Sequence, residues 1–425
     1  MSQASAPASD WFGQPRGLTV LFLTEMWEKF SFFGMRALLV YYMTKQLLID
    51  QQQASQIYGL YTGFVYFTPI LGGLIADRWL GRKKAVIIGG LIMAAGHFMM
   101  TFEPLFYGAL TAIAIGNGLF LPSLPSQVGD LYAPGDPRRG SAYNVYYMGV
   151  NLGAVLAIFA CGWVGETYGW HYGFALAGIG MLTGLVVYLS GGRYLPPEPG
   201  PRIVQPGEQR AAIGLSGTVL ILLGVALAVV LFRSAYEQAG NTIALWADEG
   251  VDRRLGGVSI PMTWFQMLNP ALVMLLTPLL VARWTRLARQ GRETGPLLKM
   301  AFGAVVVAAA YLMLAGAAAA AEGQGARASW LWLVAFFFVY TAGELYILPT
   351  GLSLFARMGP AHAGATTIAA WFLASFGGNL LAGQLGRLWS VTVPSWFFVL
   401  MAGVAGVAGL ILFSLSRSRL PEPRR

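Results

Sequence analysis

The sequence predicts an all-α polytopic membrane protein of twelve transmembrane helices, arranged as two bundles of six. Three observations predict it. The 425 residues are 56% hydrophobic and only 11% charged, against about 25% charged in soluble chains. A helix needs about 20 apolar residues to cross the hydrocarbon core, and a dozen such segments follow one another between residues 17 and 416. Finally, one Pro- and Gly-rich polar stretch divides the twelve evenly.

The first 16 residues form a polar tail with neither a basic start nor a short apolar run and cleavage site, so no secretory signal peptide is expected. Spans are predicted at 17–44, 54–79, 83–101, 105–128, 141–165 and 170–190, giving an N-terminal bundle over 17–190. The stretch GGRYLPPEPGPRIVQPGEQR opens a linker at 191–211 that cannot continue a helix. Spans at 212–246, 258–283, 296–321, 329–356, 362–388 and 394–416 form a C-terminal bundle over 212–416, and 417–425 is a C-terminal tail. The halves echo one another, GGLIADRWLGRKK after the second span matching TPLLVARWTRLARQGR after the eighth. Tandem halves of this kind build many transporters, with substrate and coupling ions held near the midplane.

Charge sets the orientation. With the N-terminus in the cytoplasm, 20 of the 28 basic residues fall on cytoplasmic loops and tails, among them Arg78, Arg82, Lys83, Lys84, Arg202, Arg210 and Arg357. That asymmetry is the positive-inside rule, placing both termini in the cytoplasm of a multi-pass protein of the cell membrane. It accounts for the net charge of +9 without nucleic acid, which is not expected as a partner. Cys161 is the only cysteine and the histidines, His97, His171 and His362, are dispersed, so no disulfide, metal site or cofactor is expected. Without a nucleophile–base set in the spans, an enzyme is not expected either. A sensor, the other class weighed, would usually carry a soluble output domain, for which the chain leaves no room.

The first span carries Glu25, Glu28, Lys29 and Arg36. On a helix, positions 25, 28, 29, 32 and 36 share one face. A charge at the bilayer centre costs at least about 2.5–3.5 kcal/mol, so this stripe faces water or partners and marks a substrate or proton path. Arg233, Glu237 and Glu344 are the other charges within spans.

The segment Glu25-Met-Trp-Glu28-Lys29-Phe-Ser-Phe-Phe33-Gly-Met-Arg36 resembles the first-helix motif of the proton-dependent oligopeptide transporter family, within the major facilitator superfamily. GGLIADRWLGRKK resembles that family's loop signature and YNVYYMGVNLG (143–153) its fifth-helix signature. Tyr236-Glu237-Gln238, Phe265 to Pro270, Gly343-Glu344-Leu345 and Ala370-Trp371-Phe372-Leu373 resemble its seventh, eighth, tenth and eleventh helices. The resemblance implies the major facilitator fold and a proton-coupled symporter importing di- and tripeptides or peptide-like compounds by alternating access, the proton being the coupling ion. It implies proton coupling through Glu25, Glu28, Lys29, Arg36 and Glu237, with Arg36 pairing to Glu237. For the substrate, Lys29 and Arg36 are the candidates for a carboxylate and Glu344 for an ammonium. Asn151 and Asn269 supply amides, and Phe33, Tyr66 and Trp371 an apolar wall. Asp77 and Arg78 are candidates for gating, the aspartate by capping or bridging neighbouring helix ends. A small-molecule substrate, protons and membrane lipid are the expected partners of a monomer.

The chain departs from the family pattern in four places. Lys29 stands where arginine is usual, Phe32-Phe33 replaces a tyrosine pair, Leu121 stands where a carboxylate-binding lysine is expected, and two helices often inserted between the halves are missing. A modified peptide or another small metabolite is therefore the alternative cargo. Arg233, one turn before Glu237, offers it a second cation on the same helix.

Overall fold

A computed structural model of the protein describes residues 9–11, 13–133, 136–198, 217–358 and 364–417. His362, Arg202, Arg210, most of the predicted linker, and Arg419, Arg424 and Arg425 of the tail lie outside the described residues, as do the starts of the seventh and eleventh predicted spans.

Twelve helices of 18 residues or more are present among the described residues: α1 (Arg16–Tyr41), α2 (Gln51–Ile75), α3 (Arg82–Met99), α4 (Phe106–Asp130), α5 (Arg138–Tyr168), α6 (Trp170–Ser190), α7 (Gly217–Tyr236), α9 (Leu268–Arg289), α10 (Pro296–Gly323), α11 (Leu331–Met358), α12 (Gly364–Gly386) and α13 (Pro394–Arg417). A short helix, α8 (Thr242–Glu249), follows α7. Ten stretches are long and apolar enough to cross a membrane by composition alone. The two that are not are α1, which carries the charged stripe, and α3, which begins Arg82-Lys83-Lys84.

The predicted seventh span is not one continuous helix. A 3₁₀ turn at Glu237–Gly240 separates α7 from α8, and side chains take over the backbone bonds the break releases. Gln238 donates to the carbonyls of Ser234 (3.1 Å) and Ala382 (2.9 Å) and accepts from the Thr242 hydroxyl (3.0 Å). Such a break is tolerated at membrane depth where protein groups satisfy the freed positions.

The chain forms two compact units, Met1–Leu38 with Thr68–Ile203, and Leu39–Phe67 with Val204–Arg425. In the first, α3 packs on α4 and α6, and α5 on α6. The charged helix α1 lies on small residues of its neighbours: Gly149 faces Phe22 and Gly153 faces the Met26 carbonyl, while Gly180 faces Phe30 and Gly184 faces Trp27. Spaced four apart on α5 and again on α6, these glycines let backbones approach closely, the usual packing device in lipid. In the second unit α13 packs on α10 and α7, and α12 on α7. There the start of α2 meets α12 through Gly59 and Gly383. The alanine run at 317–321 begins with two buried residues, Ala317 and Ala318, on α10.

Candidate functional site

In the first unit the i,i+4 spacing of Glu25 and Lys29 brings their side chains together. Lys29 Nζ lies 2.7 Å from Glu28 Oε2 and 3.5 Å from Glu25 Oε1. Both carboxylates are buried, and the lysine side chain is 12% exposed. Two acidic groups thus share one ammonium in a medium that penalises unpaired charge. Tyr146 of α5 faces Glu25. The Lys29 ammonium also sits 5.9 Å from the centre of the Phe32 ring, and the Arg36 guanidinium the same distance from Phe33. Asn151 is buried and its amide donates to the Tyr147 carbonyl (3.0 Å), one turn back on α5.

In the second unit a connected polar network runs from α2 through α7 to α9 and α11. Arg233 and Glu237 pair at 3.4 Å with side chains 5% and 1% exposed. The Arg233 guanidinium stands over the Tyr66 ring at 4.4 Å and the Tyr236 ring at 5.4 Å; such contacts contribute up to about 2 kcal/mol when desolvated. The Tyr236 hydroxyl donates to Glu344 Oε1 (2.9 Å), and Asn269 Nδ2 donates to Glu344 Oε2 (2.5 Å) and to the Thr341 hydroxyl (3.0 Å). Tyr340 stacks on Tyr236 at 5.2 Å and bonds its carbonyl (2.6 Å). Glu344 is thus a buried carboxylate aimed by neutral donors, and within its unit it makes no ion pair among the described residues.

Within each unit the structure brings some of the sequence candidates together. Glu25, Glu28 and Lys29 converge, with Arg36 further along the same helix. Tyr66, Glu237, Asn269 and Glu344 join through Arg233 and Tyr236. Trp371 is buried against Phe355 with ring centres 5.5 Å apart. Tyr236 and Thr341 were not among the sequence candidates; the signal for Tyr236 was a hydroxyl-bearing ring beside a charge, and for Thr341 a hydroxyl three residues before Glu344.

At the α2–α3 turn, Asp77 and Arg78 are exposed. The cap on α3 comes from elsewhere: Glu198 accepts from the backbone N–H of Arg82 (3.1 Å) and of Lys83 (2.6 Å). Gly81 permits this by adopting φ 78°, a left-handed region that glycine occupies without steric cost. Arg82 pairs with Asp130 at the end of α4. Sequence spacing points to the aspartate, whereas the carboxylate that reaches the helix end lies more than a hundred residues later.

Twelve long helices among the described residues, with charged side chains buried among them, are those of a multi-pass membrane protein. The comparisons resolve it further. The model of the POT family matches residues 83–206 and 216–396, and the chain belongs to that family of transporters. It is 31% identical to the peptide transporter YePEPT of Yersinia enterocolitica over 88% of both chains. A crystal structure of a peptide transporter POT variant in complex with alafosfalin superposes with a TM-score of 0.88, at 30% identity, covering 97% of this chain and 96% of that one. A POT family transporter in complex with 5-aminolevulinic acid gives 0.86 at 26% identity, covering 96% and 98%.

Proposed function

We propose that the protein is a proton-coupled symporter that imports di- and tripeptides or peptide-like compounds by alternating access, as a monomer with both termini in the cytoplasm. The observation that carries the reading is Glu344, a buried carboxylate oriented by Tyr236 and Asn269 and in no ion pair among the described residues of its unit. A buried anion in that state calls for a cationic partner, and the α-ammonium of a peptide supplies one. Lys29 and Arg36 offer the opposite charge to a carboxylate, the arginine as a two-pronged fork. Proton coupling falls to the carboxylates Glu25, Glu28 and Glu237 with the cations beside them, because making or breaking an ion pair changes a carboxylate's hold on its proton. Phe33, Tyr66 and Trp371 supply apolar surface for varied side chains, Asn151 and Asn269 amide contacts, and Asp77 and Arg78 act at the gate. Family membership over most of the length and peptide-transporting relatives support this assignment.

Leu121 favours a second reading, in which the cargo is a small amino-bearing metabolite or a modified peptide. An apolar side chain stands there where the family pattern has a cation for the substrate carboxylate, and one related transporter is known bound to 5-aminolevulinic acid. The test is uptake into liposomes by the purified protein under an inward proton gradient, with a dipeptide panel competed by such compounds, alongside Glu344→Gln. Gradient-driven uptake of dipeptides, lost in the variant, is expected. Uptake indifferent to the gradient removes the symport reading, and a panel without substrates removes the peptide reading.

A further inference from the structure

Where α9 ends and α10 begins, the second unit holds a cavity of about 380 Å³ that the network around Glu344 does not use. Its walls combine cations with aromatic rings. Trp284 of α9 stands edge-on to Tyr346 of α11 with ring centres 5.4 Å apart, and Tyr346 meets Phe302 of α10 at 5.1 Å. The Lys299 ammonium lies 4.9 Å from the centre of the Trp284 ring, and Arg283 lines the same cavity. Arg283 makes no ion pair among the described residues. Lys299 has one anion near it, Glu293 at 3.5 Å, but that carboxylate is 68% exposed, so water screens the pair and it contributes little. Beyond a ridge formed by Leu298 and Phe302, which line both spaces, an apolar groove of about 580 Å³ runs between α10 and α13. It extends over 298–308 of α10 and 403–413 of α13. Ten residues of helix rise about 15 Å, half of a hydrocarbon core about 30 Å thick. The groove is therefore as deep as one leaflet. Gly403 and Gly406 keep its α13 side open, a Cβ at either meeting nothing within 4 Å, and Phe302, Val305 and Leu410 along it are exposed. As the ninth and twelfth crossings, α10 and α13 run in opposite directions, so the end of α13 lies at the same membrane surface as the start of α10. There the Arg417 guanidinium stands 4.5 Å from the centre of the Phe413 ring.

We propose that these two spaces form a binding site for one anionic phospholipid, its headgroup phosphate held by Arg283 and Lys299 in the aromatic-walled cavity and an acyl chain lying in the groove between α10 and α13. Two cations against the single, solvated Glu293 leave the cavity complementary to an anion, and a guanidinium matches a phosphate with two parallel hydrogen bonds. Basic pockets between membrane helices at the bilayer surface hold anionic headgroups in this way, and tryptophan and tyrosine rings sit at headgroup level. The groove decides between a lipid and a free phosphate: a soluble anion fills only the cavity, whereas the apolar trough that shares its Leu298 and Phe302 wall takes a chain of one leaflet's length.

The experiment is native mass spectrometry of the purified, delipidated full chain, titrated with dioleoyl-phosphatidylglycerol or with dioleoyl-phosphatidylcholine, and with glycerol phosphate as a soluble headgroup. The readout is binding, so it stands apart from the transport reading. The first phosphatidylglycerol is expected to bind about tenfold or more tightly than phosphatidylcholine, and an equal concentration of glycerol phosphate is expected not to displace it. Arg283→Gln and Lys299→Gln should each weaken phosphatidylglycerol about fivefold, and together about thirtyfold, with phosphatidylcholine unchanged. Arg387→Gln, on the turn after α12, is the charge control and should leave both lipids as they were. Gly406→Leu fills the groove without meeting a neighbour at its Cβ and should weaken both lipids. Equal affinity for the two lipids identifies ordinary boundary lipid and overturns the proposal, as does a loss in Arg387→Gln as large as in Arg283→Gln. Displacement by glycerol phosphate assigns the cavity to a soluble anion instead, and phosphatidylglycerol binding unchanged in Gly406→Leu removes the acyl chain from the groove; either result overturns it. Should the double variant fail to fold, the lipid preference of the native protein and the Gly406→Leu titration decide the matter.

Discussion

Replacing Tyr236 by phenylalanine isolates one interaction in the second unit. The ring is held by stacking on Tyr340 at 5.2 Å and by contacts with Phe232 and the Arg233 guanidinium, all of which a phenylalanine preserves. Only the hydroxyl that donates to Glu344 at 2.9 Å is removed. A hydrogen bond to a charged group is worth about 1.5–3 kcal/mol. Because Asn269 still holds the other carboxylate oxygen, the lower end applies, and 1.4 kcal/mol is a factor of about ten in affinity. The KM for a dipeptide with a free α-ammonium should therefore rise about tenfold. An N-acetylated dipeptide, lacking that charge, should keep its KM whatever its absolute rate. The assay is concentration-dependent uptake of both compounds by native and variant protein in liposomes. Equal changes for the two, or no change for either, refute the assignment of Glu344 to the ammonium.

Gly153→Leu should abolish the folded, monodisperse protein in detergent, because a Cβ there meets the Met26 carbonyl and, at 3.2 Å, the Lys29 Cβ, and overpacking costs about 1–3 kcal/mol or more; Gly140→Ala, where nothing lies within 4 Å, is the control. Glu198→Ala removes the cap on α3 and should speed hydrogen exchange at the Arg82 and Lys83 amides about fivefold, as expected from about 1 kcal/mol for a lost helix cap, with α4 to α6 unchanged. In the loop before α5, Asp136 accepts from Arg138 Nη2 (2.7 Å) and the Arg138 backbone N–H (2.9 Å). These bonds, the side-chain ones first, hold its carboxyl below the ordinary value of 3.8. A carboxyl lowered on folding stabilises above its ordinary value, and the contribution is lost as pH falls through the lower folded value. Protection of the Arg138 amide should accordingly be present at neutral pH and fade in acid, and Asp136→Asn should remove that acid dependence.

The sequence alone determined the class of the molecule. Apolar length accounts for ten of the helices, since the hydrocarbon core sets a minimum span whatever the neighbours are. The charged stripe on α1 was legible because helical periodicity is local: Glu25 and Lys29 meet wherever that helix is placed. The same holds for Arg233 and Glu237, four residues apart. Partners distant in sequence were not legible. Nothing in the spacing joins Glu344 to Tyr236 and Asn269, whose convergence depends on how α7, α9 and α11 pack. Nor could sequence tell that Glu198 rather than Asp77 caps α3, or that Trp371 turns toward Phe355. Periodicity is set by the backbone and reads directly from the chain; which faces meet is set by side-chain packing and hydrogen-bond satisfaction between helices, and that only the tertiary structure decided.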